Sequence, residues 1–233
     1  MDITILRYDP AVDSAPYEKT YDVPFRENMT VLEAIMHIHE NYEAIGFDYT
    51  CRGRLCGRCS VTYDGTPVFA CIEFVEEGKH TIAPLEGFPV LHDLIVDKRR
   101  AQAELAKTYE RVRIAPLTDE EINDGSMTPE LADQLHLLEY CCRCQVCTAG
   151  CPAKKATPTY VGPSKMIAIA YRYFDPYDQA DRLIEAVQAG LWDCQMCGTC
   201  DMLCQNSPEI HHMEVFQKLR DAAEARGLKP ASA

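Results

Sequence analysis

The sequence predicts an α+β chain, with a small β-rich domain over residues 1–112 and an all-α domain over residues 113–233. Three observations predict it. Short strand-like segments and one amphipathic stretch fill the first ninety or so residues, and helical periodicity dominates from residue 129 onward. Between them lies a connector, Ile114–Thr128, that carries Pro116, Asp124, Gly125 and Ser126 and runs into Pro129. The 13 cysteines divide the same way: four from Cys51 to Cys71, five from Cys141 to Cys151 and four from Cys194 to Cys204. A chain of 233 residues is comfortable for two such domains.

In the first domain Ile3–Tyr8 and Tyr17–Phe25 read as strands joined by a Pro/Asp/Ser turn. Thr30, with Glu33 three residues on, is a capping-box start for a helix. The helix would place Val31, Leu32, Ile35, Ile38 and Tyr42 near one face. Ser60–Tyr63 and Pro67–Cys71 flank Asp64-Gly65, a hairpin signal, and Lys79–Ala83 reads as one more strand. A longer helix is expected from Leu91 to Tyr109, and further helices over 129–140, 163–173, 178–190 and 213–226.

Composition narrows the function. The 47% hydrophobic content is that of a globular protein, and the formal charge of −13 argues against nucleic acid and for a protein partner. No stretch approaches the roughly 20 apolar residues of a membrane span. Met1-Asp2-Ile3-Thr4-Ile5-Leu6-Arg7 has neither a basic start nor an apolar signal core, so cytoplasmic residence is the expectation. In a reducing compartment a cysteine count this high points to metal rather than disulfides.

Each cysteine group has a chemistry. Cys51-x4-Cys56-x2-Cys59, with Cys71 eleven residues on, has the spacing of a plant-type [2Fe–2S] site rather than of paired zinc knuckles. One loop supplies three thiolates, and the far strand of the hairpin supplies the fourth. Gly53 and Gly57 let the backbone approach the sulfurs; Arg52, Arg54 and Arg58 interleave with the ligands and should raise the potential. The run C-x2-C-x2-C-x3-C then occurs twice, at Cys141/Cys144/Cys147/Cys151 and at Cys194/Cys197/Cys200/Cys204, the first completed by Pro152. In such pairs the fourth cysteine of each run serves the other cluster. That assigns Cys141, Cys144, Cys147 and Cys204 to one [4Fe–4S] cluster, and Cys151, Cys194, Cys197 and Cys200 to a second. Twelve cysteines are used and Cys142 is left as a structural thiol. A zinc-stabilised interaction protein with two independent sites is the competing reading, and the tandem runs weigh against it.

Other residues carry weaker signals. His37 and His39 fit surface or packing positions on the helix, and His211-His212 are expected at the surface, with tuning of the last cluster or contact with the second partner as the alternative. Tyr171, Tyr173, Phe174 and Tyr177 are read as core packing or as a partner interface, and Lys154-Lys155 as a solvated pair. No nucleophile–base set or nucleotide-binding glycine loop equips the chain to transform a substrate by itself.

With these residues in view, the chain resembles the iron–sulfur subunit of the succinate dehydrogenase/fumarate reductase family over most of its length. Cys51-Arg52-Gly53-Arg54-Leu55-Cys56-Gly57-Arg58-Cys59 is similar to the family's first-cluster loop, and Phe69-Ala70-Cys71 to its strand cysteine. Pro84-Leu85, Val90–Asp97 and Ala170–Asp175 resemble the segments that follow. The resemblance implies a plant-ferredoxin-like β-grasp domain followed by a helical dicluster ferredoxin domain. It also implies a relay of electrons between an FAD-containing flavoprotein subunit and a quinone, membrane anchor, cytochrome or other redox partner, at the inner face of the cell membrane. Two departures stand out. Relatives space their last group Cys-x5-Cys-x3-Cys, leaving a [3Fe–4S] cluster; Cys197 fills that gap, so a [4Fe–4S] cluster of lower potential is expected. Relatives that use a quinone carry Pro-Ser and paired tryptophans after the fourth cysteine of the middle run, where this chain has Pro152-Ala153-Lys154-Lys155-Ala156, and its single tryptophan is Trp192.

Overall fold

A computed structural model describes residues 1–205 and 210–231. The chain forms two compact units: one of Met1–Arg100 with Cys144–Gly150, the other of Ala101–Arg143 with Cys151–Ala233.

The first unit is built on five strands and a helix: β1 (Asp2–Arg7), β2 (Tyr17–Asp22), α1 (Val31–Asn41), β3 (Ser60–Tyr63), β4 (Thr66–Phe69) and β5 (Lys79–Pro84). The sheet runs β2-β1-β5-β3-β4, with β1 and β5 parallel and the other neighbours antiparallel. A helix between two strand pairs, with a parallel central pair, is the β-grasp arrangement expected from the resemblance. β1 alternates, burying Ile3, Ile5 and Arg7. α1 buries Val31, Leu32, Ala34, Ile35 and Ile38, and its capping box forms as the sequence predicts: Glu33 N donates to Thr30 Oγ1 at 3.2 Å, and Thr30 N to Glu33 Oε2 at 2.8 Å. Each fully buried aliphatic side chain contributes about 1.5–3 kcal/mol to this core. Tyr42, expected on that face, is instead the C-cap and is exposed. Asp64 and Gly65 take φ of 45° and 78°, the left-handed pair of a tight hairpin.

The helix expected from Leu91 begins only at Arg99. The segment before it is a small hairpin, β6 (Val90–His92) with β7 (Ile95–Val96), followed by α2 (Arg99–Tyr109). Asp93 is the cause. It is 1% exposed with φ of 46°, and its carboxylate accepts from Arg7 Nε at 2.8 Å, Gly46 N at 2.8 Å and Tyr8 N at 3.0 Å. Those bonds draw the backbone into a turn that no helix could contain.

The second unit is helical: α3 (Asp119–Ile122), α4 (Pro129–Glu139), α6 (Pro152–Ala156), α7 (Pro163–Tyr173), α8 (Arg182–Gln188), α9 (Thr199–Leu203) and α10 (His212–Ala225), in addition to α2. The short α5 (Val146–Ala149) packs on β4 in the first unit. α7 lies at the centre against α8, α10 and α4, with Met166, Ile167, Ala168, Ile169 and Ala170 fully buried. The expected connector contains a helical turn, α3, because Thr118 and Glu121 form a second capping box. The helix expected over 178–190 starts late because Asp181 caps it, accepting from Ile184 N at 3.2 Å. Asp178 is spent on the buried Arg182, at 2.8 Å. Among the described residues, no helix is long and apolar enough to cross a membrane.

Candidate metal centres

The first centre lies in the loop before β3. Cys51 Sγ accepts from the backbone N–H of Gly53 at 3.4 Å, Leu55 at 3.4 Å and Cys56 at 3.3 Å. The Gly53 amide leads these donors in lowering the Cys51 thiol to about 7, which favours the thiolate a metal needs. Cys59, just before β3, is buried; burial first, then the Cys71 and Cys56 thiols, pushes it up to about 12. Cys71 follows β4, and Ala70 N donates to Cys59 O at 3.0 Å. The N-terminus of α1 holds this corner, since Leu32 N donates to Ala70 O at 2.7 Å and Val31 N to Glu73 O at 2.8 Å. All four predicted residues of the first centre therefore lie on one loop-and-hairpin framework. The Gly53 N–H points to sulfur as expected, but the left-handed positions of the loop are Arg52, Arg54 and Gly57, with φ of 51°, 68° and 63°. Arg58 is paired with Asp48 at 2.9 Å, and Arg52 lies over the Tyr49 ring at 5.0 Å.

In the middle run, Cys141 follows α4 in the second unit. Its thiol is pushed up to about 11 by burial, with the Cys142 and Cys204 thiols adding to the effect, so Cys141 and Cys204 are electrostatic neighbours across the two runs. Arg143, over the Tyr109 ring at 4.3 Å, and Gln102, which donates to Arg143 O at 2.9 Å, fix the turn between the first two cysteines. Cys144 and the buried Cys147 belong to the first unit, where Lys98 Nζ donates to Cys144 O at 3.2 Å.

The thiols of the last set all belong to the second unit. Cys151 is pushed up by burial and by the charges of Cys194 and Cys197; Cys200, on α9, is raised to about 12 by burial, with Asp201, Cys194 and Cys151 adding. The exposed Cys197 is held lower by the Thr199 hydroxyl, 3.2 Å away, and by the Thr199 amide. Cys151 is thus an electrostatic neighbour of Cys194 and Cys197, and Cys200 of Cys194 and Cys151, so thiols of both runs influence one another; sulfur donors of this kind suit a soft polynuclear cluster.

The three cysteine loops share a local backbone pattern. Left-handed residues alternate with ordinary ones at Arg52 and Arg54, at Arg143 and Gln145, and at Met196 and Gly198. Such alternation is the backbone pattern of nests, which receive anionic groups including iron–sulfur cores.

Several supporting residues lie outside any motif. Arg220 on α10 donates to Leu191 O at 3.1 Å and to Cys194 O, and lies over the Trp192 ring at 5.3 Å, clamping the approach to Cys194. Asp201 accepts from His212 N at 2.6 Å, Met213 N at 3.1 Å and His212 Nδ1 at 3.0 Å, tying α9 to the start of α10. His212 is thus buried, contrary to the surface position expected of it; His211 is exposed. The aromatic cluster packs internally: Tyr171 against Tyr109, Tyr173 against Phe174, and Tyr177 under Arg111. Lys154 donates to Pro158 O at 3.0 Å instead of standing free.

Comparison with known proteins agrees with this layout. Residues 2–103 match the model of a 2Fe-2S iron-sulfur cluster binding domain, and residues 137–207 that of a 4Fe-4S dicluster domain. The chain is 33% identical over 234 residues to a fumarate reductase (CoM/CoB) subunit of Methanothermobacter marburgensis, a match covering 100% of this chain and 46% of that protein. It thus spans about half the length of that relative. To the fumarate reductase iron-sulfur subunit of Mycobacterium tuberculosis it is 30% identical over 235 residues, covering 97% of this chain and 93% of the relative. Its fold matches a chain of the Mycobacterium smegmatis Sdh1 complex in the apo form with a TM-score of 0.82 at 22% identity, over 99% of this chain and 98% of that one. With the β-grasp sheet, the helical dicluster region and the cysteine order in agreement with these matches, the chain belongs to the family of succinate dehydrogenase/fumarate reductase iron–sulfur subunits.

Proposed function

We propose that this chain is the electron-transfer subunit of a fumarate-reductase-like oxidoreductase complex, relaying electrons between an FAD-containing catalytic subunit and a quinone, cytochrome, membrane anchor or other redox partner. The electrostatic coupling of Cys151 with Cys194 and Cys197, and of Cys200 with Cys194 and Cys151, thiols of two separate runs, supports the reading. Residues 1–112 would hold a [2Fe–2S] cluster through Cys51, Cys56, Cys59 and Cys71. Residues 113–233 would hold one [4Fe–4S] cluster through Cys141, Cys144, Cys147 and Cys204 and a second through Cys151, Cys194, Cys197 and Cys200. When bound, such clusters supply one-electron storage at potentials the protein sets. The chain's own part is to bind, bury and expose. Cys59, Cys147, Cys151 and Cys200 are buried, while Cys51 and Cys197 are exposed, giving the first and last sets an edge through which an electron can enter or leave. Attachment at the inner face of the membrane through partners is part of the same reading.

A second reading assigns the partner flavoprotein another unsaturated acid and a terminal partner other than quinone. It is favoured by the sequence Pro152-Ala153-Lys154-Lys155-Ala156, which α6 folds with Lys154 turned back onto Pro158 O. Purification of the tagged chain from its native cells tests both. An FAD-bearing subunit should come with it, along with about ten irons per chain. Turnover of fumarate and succinate by that preparation, compared with other unsaturated acids, separates the two readings. Colourless protein holding only zinc excludes them together.

A further inference from the structure

Among the described residues, three buried side-chain polar atoms lack a hydrogen-bond partner: Tyr63 Oη, Gln134 Nε2 and Tyr160 Oη. The third of these lies at the last group of thiols. Tyr160 is completely buried beside the thiols of Cys194, Cys151 and Cys200, and Cys194 is the thiol placed to accept from it. Its position is firmly set. Tyr160 N donates to Thr157 O and Val161 N to Ala189 O, each at 3.1 Å. Gly190, with φ of +89°, lies so close that a Cβ there would meet Tyr160 Cα at 3.0 Å and Cδ2 at 3.1 Å. A buried hydroxyl with nothing to bond destabilises the fold, a penalty that phenylalanine would avoid in the same space. The oxygen is accounted for if its acceptor is a sulfur that carries charge.

We propose that Tyr160 donates its phenolic hydrogen to Sγ of Cys194 and thereby sets the reduction potential of the cluster held by Cys151, Cys194, Cys197 and Cys200. The inference rests on that ligand set. An O–H dipole with its positive end on sulfur stabilises the reduced, more negative form, and it does so strongly because the site is buried and little screened. Tyr160 therefore raises the potential, in opposition to the nearby carboxylate of Asp201. Its role is to tune the site, and it takes no part in substrate chemistry.

The test is a potentiometric titration of the full chain, loaded with iron and sulfide and followed by paramagnetic resonance, comparing the parent with Tyr160→Phe. The variant should keep the parent's iron content while its one-electron equilibrium shifts about tenfold toward the oxidised form, which is about 59 mV downward. A fully loaded variant whose potential matches the parent's overturns the inference. If the phenylalanine variant fails to load, 3-fluorotyrosine placed at 160 decides, because it keeps shape and hydroxyl while making the donor more acidic. An upward shift supports the assignment, and an unmoved potential refutes it. Absence of a second four-iron signal from the parent overturns the ligand set itself, and the inference with it.

Discussion

Gln145 and Gly198 share one backbone state. Their φ values are 75° and 76°; each directly follows the second cysteine of its run, and each opens the short helix, α5 or α9, that carries the third. Two residues earlier Arg143 and Met196 also agree, with φ of 58° and 51°. The duplication seen as C-x2-C-x2-C-x3-C is therefore a duplication of backbone geometry, and Cys197 stands in the last run where Cys144 stands in the middle one. A cysteine at 197 is the natural completion of the repeated loop.

Gly198 gives a clean measure of what this left-handed turn costs. A Cβ at Gly198 would meet nothing within 4 Å, so Gly198→Ala changes backbone preference without a clash. The expected loss is about 1–2 kcal/mol, the penalty for placing an L side chain in that region. Denaturant midpoints of parent and variant check it. An unchanged midpoint would show that the loop takes another conformation in solution.

The Arg7–Asp93 pair should dominate the stability of the first unit. Arg7 Nε lies 2.8 Å from Asp93 Oδ1, with both side chains almost wholly buried. Asp93→Ala leaves the guanidinium with Tyr21, Glu43 and Ala44 O but without its buried counter-charge, and should cost about 3 kcal/mol. Burial pushes the Asp93 carboxyl upward, yet the bonds from Arg7, Gly46 and Tyr8 outweigh it and hold it below the ordinary range. A depressed native pKa stabilises the fold above the unfolded value of about 3.9, and that contribution fades as pH falls through the native value. The gap in urea midpoint between parent and variant should thus be widest near neutrality and narrow in acid below about pH 4.

Much of this was legible in the sequence. Thr30 with Glu33, Asp64-Gly65 and the cysteine spacings carry their structure in adjacent residues, so short-range rules recover them. Asp93 could not be read that way, because its turn is stabilised by Arg7, 86 residues away. Arg220, which bonds the Cys194 carbonyl, and Tyr160, which lies beside the Cys194 thiol, come from outside both cysteine runs, and neither residue type announces a role there. The left-handed Arg52, Arg54, Arg143, Gln145 and Met196 were hidden for another reason: side chains other than glycine seldom take that conformation, so composition offers no hint of it. Thr118 with Glu121 was readable as a capping box, but the surrounding turn residues masked it.

Arg220 should govern loading of the last site. It bridges α10 to the carbonyls of Leu191 and Cys194, so Arg220→Met keeps the aliphatic stem while releasing the loop. Loss of these charge-assisted bonds should cost about 2 kcal/mol. Iron content should fall toward six per chain as the second four-iron cluster becomes labile, with the [2Fe–2S] spectrum unchanged. Uniform loss from all sites would instead indicate general unfolding.

Cys197→Ala tests the meaning of the extra cysteine most directly. The Cys197 side chain is exposed and bonds with the Thr199 hydroxyl, so its removal leaves the buried neighbours Cys151 and Cys200 in place. With three thiolates remaining, the site should hold a three-iron core, losing the one iron that Cys197 would bind. The oxidised parent should show no three-iron resonance. The oxidised variant should show it at about one per chain, with a higher potential, since the three-iron core lacks the added negative thiolate. A stoichiometric three-iron signal in freshly prepared, anaerobic parent protein would mean that Cys197 binds no iron despite the matching loop. The repeated geometry at Gln145 and Gly198 would then serve backbone shape alone.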